Sequence, residues 1–132
     1  MEMPENIESG SNKIRDNEFG KFAENIAAEY YVIHGYAIRE RNCRIGRNEI
    51  DIIAQLDNTM VFVEVKARSG RDGSALESVT HDKMKRMAKA ADSYLKNQKG
   101  IYEYRYDIFT LTGDFESYET EVFMDAFVSP LL

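Results

Sequence analysis

The chain has 132 residues, 43% of them hydrophobic and 30% charged, with a formal net charge of −6. That is the size and make-up of one ordinary globular domain, long enough to bury a core unaided. No apolar run approaches the roughly 20 residues that a membrane span needs, and the acidic, polar start MEMPENIESG is the opposite of a signal peptide, so a cytoplasmic protein with no membrane partner is expected. A single cysteine, Cys43, and two histidines, His34 and His81, exclude an intramolecular disulfide and the usual Cys/His zinc sites, and they suit a His-based hydrolase poorly. Any metal would be held by carboxylate and backbone oxygens, which fits Mg²⁺ or Mn²⁺.

The acidic total hides an asymmetry. Residues 39–89 carry eleven Lys or Arg against eight Asp or Glu, whereas the remainder carries six against fifteen. The overall sign argues against a simple sequence-blind nucleic-acid binder, but the middle of the chain is basic.

Residues 1–16 show no apolar periodicity and are expected to be a flexible extension, leaving 17–132 as the folded domain. From Asn17 to His34 the residues Phe19, Ala23, Ile26, Tyr30 and Ile33 recur at steps of three and four, which predicts an amphipathic helix closed by Gly35. Tyr36–Glu40 reads as a short strand, followed by the Arg-rich RERNCRIGRN. Glu49–Gln55 alternates, with Ile50, Ile52 and Ala54 on one face and Glu49, Asp51 and Ile53 on the other. The turn LDNT joins it to VFVEVKAR (61–68), and two alternating runs so closely linked predict an antiparallel hairpin. SGRDGSALES is a loop. A second helix is expected from Thr80 as its cap, with Val79 stapled on Met84 and a stripe of Met84, Met87, Ala88, Ala91 and Leu95. Strands near Tyr104–Leu111 and Glu121–Val128 close the chain. The pattern predicts an α/β fold with a central mixed sheet of about five strands flanked by helices.

VFVEVKAR places Val61, Val63, Val65 and Ala67 on one face and Phe62, Glu64, Lys66 and Arg68 on the other. The hairpin brings Asp51 beside Glu64, with Lys66 about 7 Å further along the same face. Two carboxylates supply hard oxygen ligands for Mg²⁺, and a neighbouring lysine can orient or activate water and offset charge on a phosphate. The competing reading is an ordinary solvated strand face, the commoner fate of exposed charges. Phe62 and Ile53 share the polar faces, so burial is the better fit, and buried charges need partners or a metal.

Asp at the end of one strand followed by Glu-X-Lys in the next resembles the PD-(D/E)XK core of restriction endonucleases and archaeal Holliday-junction resolvases. The chain is most similar to the YraN-like family of predicted endonucleases within that superfamily. The likeness rests on A-E-N-I-A at 23–27, H-G-Y at 34–36, R-N at 41–42, N-E-I-D at 48–51, V-F-V-E-V-K-A-R at 61–68, V-T-x-x-K at 79–83, R-Y-D-I at 105–108 and D-A-F at 125–127. It implies a restriction endonuclease-like fold over residues 17–128. It also implies Asp51 and Glu64 as metal ligands with the Val65 carbonyl beside them, Lys66 as the catalytic lysine, and Glu24 as an acidic residue added from the first helix. Periodicity alone leaves Glu24 equally open to being an exposed helix glutamate, and Glu49 is a weaker candidate on the Asp51 face. Ala23 and Asn48 stand where the family usually has glycine.

Candidate phosphate contacts are Arg39, Arg41, Arg44 and Arg47, then Arg68, Arg71, Lys83 and Arg86, arginine being suited to bidentate phosphate binding. Cys43, the histidines and the methionines are assigned to structure. The resulting expectation is a Mg²⁺- or Mn²⁺-dependent endonuclease acting on DNA, including branched or structured DNA. The alternative is a non-catalytic nucleic-acid-binding or protein-interaction module that keeps the fold. Analogy with junction resolvases implies a homodimer.

Overall fold

Residues 5–69 and 79–127 are described by the structure, a computed structural model. Helix α1 (Glu5–Ile33) leads into strands β1 (Ala37–Ile45), β2 (Asn48–Leu56) and β3 (Thr59–Arg68). Helix α2 (His81–Lys96) then crosses to β4 (Glu103–Gly113) and β5 (Tyr118–Phe123). The strands lie in chain order in one sheet, antiparallel except that β3 and β4 run parallel. A parallel neighbour needs a long crossover, and α2 supplies it. The result is the α/β architecture expected from the sequence, a five-stranded mixed sheet between two helices, consistent with a restriction endonuclease-like fold.

The β2–β3 hairpin turns on two residues, Asp57 and Asn58, with Asp57 at φ 51°. Left-handed backbone at this point matches the twist of the flanking strands, and Asp tolerates it. Thr80 caps α2 as expected, its hydroxyl accepting from the Lys83 N–H at 3.3 Å. Gly35, at φ 90°, lets the chain leave α1 and enter β1.

Both faces of β3 are buried. Val61 and Val63 join Ile52, Ala54, Phe109 and Leu111 beneath Ala23, Ala27, Ala28 and Tyr31 of α1. Met60 and Phe62 join Ile53 and Tyr106 beneath Met87, Ala88, Ala90 and Ala91 of α2. A central strand covered by a helix on each side has no solvated face over its middle, so Glu64, buried, and Lys66, half-buried, are not ordinary surface charges, whereas Arg68 at the strand's end is exposed.

Several elements differ from the sequence reading. Helix α1 begins at Glu5 rather than Asn17. From Asp16 onward its buried positions are Ala23, Ala27, Ala28 and Tyr31, and Ile33 is 73% exposed, so the contact face is rotated from the one that large apolar residues suggested. Alanines win those positions because small side chains let the helix backbone lie close to the sheet. The RERNCRI segment, read as following a short strand, is strand itself. Strand β5 ends at Phe123, five residues short of the expected Val128, because Asp125 (φ 51°) turns the chain. Its N–H donates to Asp107 at 3.0 Å, the Ala126 N–H donates to the Tyr106 carbonyl at 2.7 Å, and Phe127 stacks on Tyr106. In α2, Met84 is only half-buried and Ala90 takes a core place. The predicted loop at 69–78 falls, apart from Ser69, outside the described residues, and with it Arg71.

Candidate active site

The alternation expected of β2 breaks at Asp51. Ile50 and Ile52, expected on one face, pack on opposite sides of the sheet, Ile52 with α1 and Ile50 with α2. The same break occurs in β1 opposite. Arg41 donates to Asn25 of α1 at 2.7 Å, while Cys43 packs with the α2-side cluster. Between them Asn42 stands at φ 51°. Asn adopts this left-handed conformation more readily than other non-glycine residues, so Asn42 is the hinge at which the two strands change phase together.

This break opens the site. The β2–β3 ladder ends at Ile52 paired with Val63. Beyond it the Val65 N–H donates instead to Asp51 Oδ2 at 2.8 Å. β3 meanwhile continues alongside β4 to Arg68, so Glu64 and Lys66 are held on a strand that has lost its neighbour on one side. α2 covers Glu64, which is 6% exposed. Its Oε1 accepts from Lys83 Nζ at 2.9 Å and lies 3.6 Å from Lys66 Nζ.

Glu24 reaches the site from α1. It falls on the same helix face as Ala27, Ala28 and Tyr31, and is half-buried. With its amide nitrogen turned inward, Asn42 donates to Glu24 Oε1 at 2.9 Å and to Glu49 Oε1 at 3.1 Å. The structure therefore gathers Glu24, Glu49, Asp51, Glu64, Lys66 and Lys83. Sequence reasoning named Asn42 only within the R-N motif at 41–42 and gave it no role in the site. Its signal was an Asn at the centre of an Arg-rich strand, a residue type that strands disfavour.

The electrostatics show carboxylates crowded together. Burial, then the charges of Glu64 and Glu24, raise the Asp51 carboxyl to about 8, against the lowering effect of the Val65 N–H. Burial also raises Glu24, with the Asn42 hydrogen bond and Arg41 opposing. Lys66 is lowered, first by burial and then by its hydrogen bond with Lys83. Burial works against the charge on Lys83, but its contacts with Lys66 and Glu64 prevail and raise it. Of two lysines on one carboxylate oxygen, Lys83 is thus the committed cation and Lys66 the one that more readily gives up its proton.

Among the described residues no three His, Cys, Asp or Glu side chains stand ready-made around a metal position. The reason is visible in their partners: Asp51 is engaged by a backbone N–H, Glu64 by two lysines, and Glu24 and Glu49 by Asn42. The donor chemistry nevertheless fits a hard divalent cation, because the charges of Glu64 and Glu24 both act on Asp51, which makes no ion pair among the described residues. An open groove of about 350 Å³, lined by Asp16, Asn17, Gly20, Lys21, Glu24, Val65 and Ala67, meets the site at Glu24.

The candidate phosphate-binding arginines are less gathered. Arg39 is tied to Gln55 at 2.6 Å and Gln98 at 2.9 Å. Arg41 is held on Asn25, and Arg44, Arg47, Arg68 and Arg86 are exposed. Lys83 stands within the site, on Glu64.

The sequence model of the uncharacterised protein family UPF0102 matches residues 23–111, which span every candidate site residue. The chain belongs to the UPF0102 family. A UPF0102 protein of Phocaeicola vulgatus is 38% identical over 116 residues, covering 87% of this chain and 96% of its own length. One from Bacteroides thetaiotaomicron is 41% identical over the same shares. Another from Corynebacterium efficiens is 42% identical over 103 residues, covering 77% of this chain and 84% of its own. This UPF0102 chain therefore shares nearly the whole length of its relatives with them. No helix among its described residues is long and apolar enough to cross a membrane.

Proposed function

We propose that this UPF0102 chain is a metal-dependent endonuclease that hydrolyses phosphodiester bonds in DNA, using Asp51, Glu64 and Glu24 to hold Mg²⁺ or Mn²⁺ and Lys66 to handle the attacking water. One observation carries the reading: at the point where β2 and β3 part, Asp51 and Glu64 face a lysine whose charge burial disfavours. A solvated charge pair would need no such arrangement, and a structural ion pair would match its charges rather than crowd carboxylates.

Carboxylate oxygens of Asp51, Glu64 and Glu24 would hold the metal, with the Val65 carbonyl as a further oxygen ligand beside them. The cation, when bound, offsets phosphate charge and lowers the pKa of a coordinated water. Lys66 Nζ, on the same strand two residues beyond Glu64, is placed to take a proton from that water or to orient it. The groove lined by Lys21, Glu24, Val65 and Ala67 adjoins the site at Glu24, and Arg44, Arg47 and Arg68 lie exposed for phosphate contact. No second domain among the described residues is available to read bases, which favours substrates chosen by shape, such as branched or structured DNA, over a defined sequence.

Purified protein incubated with linear, nicked, flapped and four-way DNA should cleave at least one form with Mg²⁺ or Mn²⁺ and stop in EDTA. Asp51→Asn and Lys66→Ala should each lower the rate by at least about 100-fold, the scale of losing a principal general base or metal function, while leaving the folded spectrum unchanged. Cleavage that survives both substitutions would defeat the proposal.

A further inference from the structure

We propose that Lys83 is a displaceable counter-cation: its ammonium holds the place of the divalent cation on Glu64 and is driven off that carboxylate when the metal binds. The inference rests on the metal-site reading above and adds to it a residue that competes with the metal.

Glu64 is buried beneath α2, and Lys83 Nζ sits on its Oε1 at 2.9 Å, with Lys66 Nζ 3.6 Å from the same atom. One oxygen so engaged offers little to a third cation. A doubly charged ion bound there would lie within a few ångströms of both ammonium groups, a repulsion that a shielded pocket does little to screen. One lysine must therefore yield. Lys66 belongs to a strand paired with β4 on through Arg68, and its side chain is 21% exposed. Lys83 lies in the first turn of α2, its side chain is 37% exposed, and its stem can swing outward without disturbing the helix. Lys83 is thus the cation that leaves, and it leaves toward the solvent side of the site. In the metal-free protein it keeps a buried carboxylate paired.

The test uses the full chain and Mn²⁺ or Mg²⁺ alone, without DNA. By calorimetry, Lys83→Met should bind Mn²⁺ more tightly than wild type by about tenfold, a coupling of ordinary size between two competing ligands. Lys85→Met, which removes the same charge from an exposed position on the same helix, should change the affinity less than about twofold, as expected for a distant screened charge. In melts, Lys83→Met should be less stable than wild type in EDTA, and the deficit should close at saturating Mn²⁺. If Lys83→Met fails to fold, wild type still decides by nitrogen NMR at low temperature with Mg²⁺. The slowly exchanging ammonium signal of Lys83 should be present without metal and lost on titration. A melting deficit equal with and without Mn²⁺, or a Lys83 signal that persists in the metal-loaded protein, overturns the inference while leaving the metal site standing. Failure of both wild type and Lys83→Met to bind Mn²⁺ overturns the metal site and the inference with it.

Discussion

At the scale of single residues, the site is a set of charges whose partners are all borrowed. Asp51 leans on a backbone N–H and Glu24 on an amide, so of the three carboxylates only Glu64, on two lysines, has its charge matched. Asp51 carries the clearest consequence. Its carboxyl sits at about 8 in the folded chain against 3.8 for the free group, so between those values the folded state keeps a proton that the unfolded state has released. Stability of the metal-free protein should therefore fall as pH rises from about 4 to about 8, and then level off. Asp51→Asn should flatten that slope and melt a few degrees above wild type at pH 8 in EDTA, since the amide oxygen can still accept from Val65. Melting curves across this range check it, and an unchanged slope would mean that Asp51 is ionised throughout. Metal affinity should climb over the same interval, because a cation must displace that proton.

At the scale of elements, the decisive event is the joint phase change of β1 and β2 at Asn42 and Asp51. It turns one polar side chain of β2 into the gap left by the departing ladder and points an amide of β1 at two glutamates. Because Asn42 does two jobs, two substitutions separate them. Asn42→Gly keeps the left-handed backbone and loses only the amide. Asn42→Ala loses both, and should be less stable than the glycine variant by about 1–2 kcal/mol, the cost of a left-handed non-glycine residue. Urea denaturation of the pair measures that difference, and equal midpoints would show that the hinge relaxes without cost. Both variants should bind Mn²⁺ with altered affinity, since Glu24 and Glu49 lose their common donor.

Across the whole molecule, the sheet is gripped from both sides, and the grip on the α1 side ends in a buried ionic knot. Asp107 is 0% exposed, and it accepts from Tyr31 Oη at 2.7 Å, from Arg105 Nε at 3.0 Å and from the Asp125 N–H at 3.0 Å. Arg105 also donates to Tyr36 Oη at 2.7 Å. The knot joins α1, the start of β1, β4 and the turn after β5, and so orients the helix that carries Glu24. Removing one donor leaves a buried carboxylate short of a partner. Tyr31→Phe should cost about 1–3 kcal/mol, and combining it with Arg105→Lys should give a non-additive loss, because both act on one group. Additive losses in urea would show two independent contacts instead.

Much of this was legible in the residues. Alternation in VFVEVKAR, the apolar run of EIDII before it, the turn between them and the Thr80 cap determined the hairpin and the second helix, because local backbone preferences and apolar period act over a few residues. Asp51, Glu64 and Lys66 could be picked out as charges standing among buried neighbours. What periodicity could not supply was which face each helix presents. Alanine carries little hydrophobic signal, so the inward face of α1 emerged only from packing against β3, and Glu24, which the family likeness implied and periodicity left open, falls on it. The phase change at Asn42 and Asp51 was invisible for a related reason. It depends on two strands turning together, and no single run of residues records its partner's geometry. Lys83 belongs to the same class: nineteen positions separate it from Glu64 in the chain, and only the crossover of α2 over the parallel strands brings its ammonium onto that carboxylate.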